Sequence, residues 1–222
     1  WTGHAEPVVD GVRTLAERGL DVRLACAKAP GDFIDSVEAN ARSRGVEPVT
    51  AFTLAKHFNW TANRKDAESL ARYLDAEEID IVHTHRLQDH WIAAMAIRQS
   101  KRPMRLVRTC HDAVPQRKSL RNWILYRNRT DLLIDVSREG YQADGSTFRL
   151  NRRIVYVPPA VDTERFDRTK VAGDLRAELG IPADAVVFGI VARIQPKRRF
   201  DLLLEAFRRI SRKYEQARLM IV

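Results

Sequence analysis

Ile79-Asp80-Ile81-Val82-His83, a helical stretch from Gln88 to Gln99, and Met104-Arg105-Leu106-Val107-Arg108-Thr109-Cys110 spell out strand, helix, strand. The same alternation runs outward in both directions. Upstream, Ala5 to Arg18 carries Val8, Val9, Val12, Leu15 and Ala16 on one helical face, with Pro7 near its start and Gly19 just past its end. A strand over Asp21 to Ala27, a short helix from Ile34 to Arg44, a strand over Glu47 to Phe52 and a helix from Lys65 to Ala76 follow. Downstream, Leu120 to Asn128 reads as helix and Leu132 to Val136 as strand. Ser137 caps a brief helix, and Ile154 to Val157 is a strand stopped by Pro158-Pro159. Repeated strand–helix alternation marks an α/β fold, a parallel sheet with helices on both faces.

A charged stretch, Asp162 to Lys170, then leads to a helix ending at Leu179-Gly180 and to a second strand–helix–strand unit. That unit comprises Val186 to Val191, Phe200 to Ile210 and Ala217 to Val222. The expected organisation is one Rossmann-like domain over 1–168 and the start of a second over 169–222. Two features point to a piece of a longer chain. Gly3 is preceded by only two residues, so the strand that normally leads into a glycine turn is missing, and the chain stops on an apolar strand.

The composition excludes several classes. With 222 residues, 45% hydrophobic and 30% charged, the chain is an ordinary globular sequence rather than a disordered or collagenous one. No apolar run approaches the roughly 18–20 residues of a membrane span. The first seven residues lack the basic and apolar regions of a signal peptide. The two cysteines, Cys26 and Cys110, lie in apolar strand-like runs and read as buried free thiols, which suits a reducing, cytoplasmic compartment.

The charge is unevenly placed. Lys plus Arg number 38 and Asp plus Glu 29, a net +9. The window Arg98 to Arg129 holds ten basic residues and one acid, Asp112, so it carries the whole excess, and the rest balances at 28 against 28. A local patch of this kind suits an anionic partner such as phosphate, nucleic acid or a lipid surface. No interleaved aromatic platform or reading helix supports nucleic acid. On the helix 120–128, Leu120, Trp123, Ile124 and Arg127 form one stripe, with Arg117, Lys118, Arg121 and Arg129 around it. Residues 117–129 suit peripheral contact with an anionic membrane. The alternative is that Trp123 and Ile124 pack into the core.

Five segments carry motifs. Gly3-His4-Ala5-Glu6 opens a helix, Asp80-Ile81-Val82-His83-Thr84-His85 ends a strand, and Thr109-Cys110-His111-Asp112 ends the next. Val157 to Phe166 and Val191 to Phe207 complete the set. In order and spacing they resemble the retaining GT-B glycosyltransferases of the glycosyltransferase family 4 type. The resemblance implies two Rossmann-like domains and sugar transfer from a nucleotide-sugar to a glycan or lipid-linked acceptor, with retention of configuration. It implies no cofactor and no metal. A sugar–nucleotide epimerase of the same architecture and, more remotely, a basic nucleic-acid-binding module are the rival readings.

The implied roles fall on named residues. His111 is the catalytic candidate, contacting the transferred sugar. Gly3, Arg193 and Arg198 would hold the donor diphosphate, and His85 and Asp112 would border the acceptor or cleft. Asp112 would orient His111 or cap the next helix. Arg198 stands where the family has lysine and Arg199 where it has glycine, and Lys197 is the alternative cation. Pro159-Ala160 replaces the family's Asn-Gly, and Ala192 its glycine. A guanidinium keeps a permanent charge and a bidentate phosphate grip, so the chemistry survives the exchange. The family's C-terminal acidic motif has no counterpart up to Val222. His83, His85 and His90 have metal-like spacing, but strand-end histidines beside an acceptor explain them without an ion.

Overall fold

The computed structural model describes the chain except residues 1–2, 32–33, 56–58, 113 and 171–172 and the side chain of Arg168. It divides into two compact units, residues 1–161 and 162–222. In the first, helix α1 (Ala5–Glu17) precedes strand β1 (Leu24–Ala25), helix α2 (Val37–Ser43), strand β2 (Pro48–Val49) and helix α3 (Trp60–Ala76). Then come β3 (Ile81–Thr84), α4 (Leu87–Gln99), β4 (Arg105–Cys110), α5 (Leu120–Asn128), β5 (Leu132–Asp135), α6 (Arg138–Phe148) and β6 (Ile154–Tyr156).

Every strand pair among the described residues is parallel. Strands β3-β4-β5-β6 form one sheet in sequence order, and β1-β2 form a separate pair. Each crossover in the larger sheet contains a helix, as parallel connections require. The expected strand over 21–27 shrinks to two paired residues because its ladder with β2 is limited to Leu24↔Pro48 and Ala25↔Val49.

Three apolar clusters hold the larger sheet. Ala67, Ala71 and Leu74 of α3 pack against Ile92 and Ala96 of α4. Ala93 and Ala94 meet Leu106 and Leu125. Further along the same face Cys110, Tyr126, Leu133, Phe148, Leu150 and Ile154 form a third cluster. Small residues on α3 and α4 let the two helices approach closely. Both cysteines are free and buried.

Four helices of this unit are capped by a side chain. Ser36, Asn59, Ser119 and Ser137 each accept a backbone N–H of their helix's first turn. Asn59 moves the start of α3 to Trp60, five residues before the expected start at Lys65. Ser137 caps α6 as expected, but α6 is 11 residues long rather than brief. Ser119, not Asp112, caps α5. Helix α5 buries Asn122, Leu125 and Tyr126. Trp123 and Ile124 therefore do not enter the core; they are 37% and 39% exposed, and Leu120 is 75% exposed.

The second unit contains α7 (Leu175–Glu178), β7 (Val186–Ile190), α8 (Phe200–Ser211) and β8 (Ala217–Ile221). Strands β7 and β8 pair in parallel over five residues, and Phe188 meets Phe207 of α8 edge-on. No residue of α8 is buried, and the buried apolar residues described in this unit are Ala185 and Ala217.

Candidate active site at the C-terminal edge of the larger sheet

Parallel sheets bind ligands beyond the carboxyl ends of their strands. At that edge His85 lies one residue past β3 and His111 one residue past β4. The β3–β4 register sets Thr84 opposite Arg108, which brings the two following segments side by side. Nδ1 of His85 and Nε2 of His111 are 2.9 Å apart, a direct imidazole–imidazole hydrogen bond. The two rings lie 5.2 Å apart between centroids.

Two further histidines extend this pair. His4, the residue preceding α1, stacks on His111 at 5.2 Å and 18° between planes. The His83 ring lies 4.4 Å from that of His85, and its Nε2 is 2.7 Å from the Thr109 hydroxyl. Four imidazoles from α1, β3 and β4 thus form one row. His83 and His85 share a strand face because they are two residues apart. The place of His4 depends on a tertiary contact 107 positions away, and its only sequence signal is its neighbour Gly3 in the glycine-loop motif.

The row is electrostatically unfavourable to cations. Burial first, then the neighbouring His83, His111 and Arg108, hold His85 well below the ordinary imidazole value. His111 is lowered by burial, His4 and Arg108, with Asp112 opposing. His83, His85 and His111, all held below the ordinary imidazole value, favour the neutral ring, which offers one N–H and one lone pair. They can hydrogen-bond hydroxyls as donor or acceptor, which suits a sugar.

The remaining sequence candidates are placed as follows. Gly3 is exposed, and a Cβ there would meet nothing within 4 Å, so only an approaching ligand would require its smallness. Asp112 is exposed beside His111. His90 is not part of the row: it is fully buried on α4, with Nε2 2.9 Å from the Thr130 hydroxyl. Arg193 and Arg198 belong to the second unit and are exposed. Arg198 ends a single 3₁₀ turn, Pro196–Arg198, in front of α8. Arg199 follows with φ 50° and is clamped by Asp201, Nη2 to Oδ2 2.9 Å.

Among the described residues, the group whose ligand atoms converge as a metal site requires is Cys110, Asp135 and Asp144, within 4.8 Å of one another. It is buried beneath the sheet edge, and the charge of Arg108 acts on both Cys110 and Asp135. A resident guanidinium supplies positive charge there and opposes a second cation.

The family model described as Glycosyltransferase Family 4 matches residues 3–165. The chain belongs to Glycosyltransferase Family 4. This family 4 chain is 28% identical over 234 aligned positions to a D-inositol 3-phosphate glycosyltransferase of Geodermatophilus obscurus, covering 91% of this chain and 49% of that protein. It is 27% identical to an Escherichia coli UDP-Gal:alpha-D-GlcNAc-diphosphoundecaprenol alpha-1,3-galactosyltransferase, covering 83% and 48%. The chain therefore spans about half the length of these curated relatives.

Among solved structures, a Rickettsia africae glycosyltransferase superimposes with TM-score 0.73 at 14% identity, over 94% of this chain and 54% of that one. Anabaena HepE, solved with UDP and glucose, gives 0.71 at 16%, over 99% and 57%. At such identities the likeness shows the fold, which is Rossmann-like and of GT-B type. A UDP-N-acetylglucosamine 2-epimerase shares that fold less closely, with TM-score 0.63 at 12% identity, over 97% and 58%. No helix among the described residues is long and apolar enough to cross a membrane.

Proposed function

We propose that the protein to which this chain belongs transfers a sugar from a nucleotide-sugar to an acceptor with retention of configuration. The observation that carries this reading is the His111 imidazole at the C-terminal end of β4, joined to His85 and stacked by His4, in a member of family 4. In the reaction the bond from the anomeric carbon to the diphosphate oxygen breaks. The acceptor oxygen bonds to that carbon on the same face, and its proton passes to the departing diphosphate.

His111 hydrogen-bonds the transferred sugar. Arg193 and Arg198 stabilise the charge that develops on the leaving diphosphate, worth a few kcal/mol each in a closed site. Gly3 admits the phosphates to the N-terminus of α1, where the side chain of the N-cap residue His4 makes no capping hydrogen bond. His85 and Asp112 border the acceptor. Basic side chains take the place of a metal, and no cofactor takes part. HepE with bound UDP and the E. coli enzyme named for its UDP-sugar and diphosphoundecaprenol acceptor support a nucleotide-sugar donor and a glycan or lipid-linked acceptor. Residues 1–168 would serve the acceptor and the domain beginning at 169 the donor.

Helix α5 adds a place of work. Its outward Leu120, Trp123 and Ile124 lie among Arg117, Lys118, Arg121 and Arg129, an arrangement that suits the anionic surface of a membrane from the cytoplasmic side. Arg127 lies over the Trp123 ring at 5.4 Å and Arg121 over Trp91 at 4.7 Å, so cations and aromatic rings lie together on this surface.

The stereochemical course tests the reading. The whole enzyme is supplied with an α-linked nucleotide-sugar and acceptor, and the anomeric configuration of the product is read by proton NMR. An α-linked product is expected. A β-linked product, or a donor epimerised without acceptor, overturns the reading, and the second outcome identifies the epimerase alternative.

A further inference from the structure

We propose that His85 is a positioning residue for His111, fixing its ring and its tautomer through the Nδ1···Nε2 hydrogen bond. This role rests on the transfer reading only for its effect on turnover. The 2.9 Å separation holds one proton between two nitrogens, so one ring donates and the other accepts. Either way Nε2 of His111 is committed to His85, and Nδ1 is the nitrogen left to meet a sugar hydroxyl. Which nitrogen of a histidine carries its proton is set by the bond the other one makes.

The surroundings keep the pair in register. Thr109 holds His83 through its Nε2, and the His83 ring lies against His85. His4 stacks on His111, nearly parallel to it, which holds the plane of that ring, and within that plane a 180° flip would carry Nε2 away from His85. Burial and the charge of Arg108 work against a second proton on either ring. A doubly protonated pair would set two N–H groups against each other and break the link.

The geometry separates a positioning role from contact with the acceptor. Asparagine places an amide atom where Nδ1 of His85 stands, glutamine reaches instead to the position of Nε2, and phenylalanine keeps the ring volume with no polar atom. The whole enzyme carrying His85→Asn, His85→Gln or His85→Phe is compared with wild type in two ways. Long-range ¹⁵N–¹H correlation spectra report the His111 tautomer without substrate. Steady-state rates report kcat and KM.

In wild type His111 is expected as one tautomer. His85→Phe and His85→Gln should give a tautomer mixture and a kcat lowered by about 10–100-fold, the usual effect of losing an orienting partner, with KM nearly unchanged. His85→Asn should restore the single tautomer and recover most of the loss in kcat. A single unchanged tautomer in His85→Phe overturns the proposal. Rescue by Gln but not by Asn also overturns it and makes Nε2 of His85 a substrate contact. Should the Phe variant not fold, the Asn and Gln pair decides alone. Spectra that behave as expected in an enzyme that transfers no sugar leave the positioning role standing and remove the transfer reading.

Discussion

Asp144 on α6 accepts the backbone N–H of Gln116 at 2.9 Å, which ties the segment following His111 to the helix behind the sheet. The tie is reinforced by Tyr126, whose hydroxyl donates to Gln116 Oε1 at 3.0 Å, and by Asn122, whose amide donates to Arg117 O at 2.8 Å. The other oxygen of Asp144 has no hydrogen-bond partner, nor has Oδ2 of Asp135. Burial pushes Asp144 up to about 6, and burial together with Asp144 pushes Asp135 up to about 7.

An acid whose value rises on folding supports the fold when protonated. That support is complete below about pH 4 and is lost as pH rises through 6–7. Asp144→Asn keeps the acceptor for Gln116 and removes the charge. Urea unfolding should find it more stable than wild type by about 2 kcal/mol at pH 8, with the difference vanishing by pH 4. Asp144→Ala removes the acceptor as well and should cost about 1–3 kcal/mol relative to Asn at every pH.

Arg199 occupies a left-handed backbone position, φ 50°, at the entrance to α8. A side chain there costs about 1–2 kcal/mol, and glycine carries no such cost. Its ion pair with Asp201 is exposed on both sides, 59% and 64%, and contributes little. Arg199→Gly should therefore stabilise the second unit by about 1 kcal/mol, read from its thermal midpoint. Asp201→Ala should leave that midpoint essentially unchanged.

In the whole enzyme Arg193→Ala and Arg198→Ala should each lower kcat about 100-fold and weaken nucleoside diphosphate binding, as expected for loss of one charge-stabilising donor. Lys197→Ala is the control. A severe Lys197→Ala beside a silent Arg198→Ala would place the diphosphate cation one position earlier.

Sedimentation with vesicles tests the α5 surface. Binding should rise with the anionic lipid fraction and fall with salt, since each cation near such a surface contributes about 1 kcal/mol. The Arg117/Lys118/Arg121 triple alanine variant should bind about 100-fold more weakly at low salt. Binding that ignores both salt and the triple change removes the membrane role.

The sequence showed the larger sheet because its strands are apolar runs between punctuating turns, and α5 ran over the residues expected of it. Helix α6 is longer than its sequence suggests because its buried face is Gly140, Asp144 and Phe148, which gives no apolar stripe to follow. On α5 residue type could not choose between Trp123-Ile124 and Leu125-Tyr126 as the inward pair, since adjacent positions on a helix differ by about 100° and all four are large. His111 and His85 were legible as strand-end residues. Their hydrogen bond, and the stacking of His4, required the register of β3 on β4 and the placement of α1.

The proposed reacting edge of this family 4 protein lies at His111. Acceptor-dependent release of nucleoside diphosphate from a nucleotide-sugar, measured for the whole enzyme and for His111→Ala alongside their unfolding midpoints, tests it most directly. Release in the wild type, a fall of at least about 100-fold in the variant, and midpoints within a few degrees of each other are predicted. Undiminished release by a His111→Ala enzyme whose midpoint has dropped sharply would show that His111 holds the loop and does not meet the sugar, and would contradict the account.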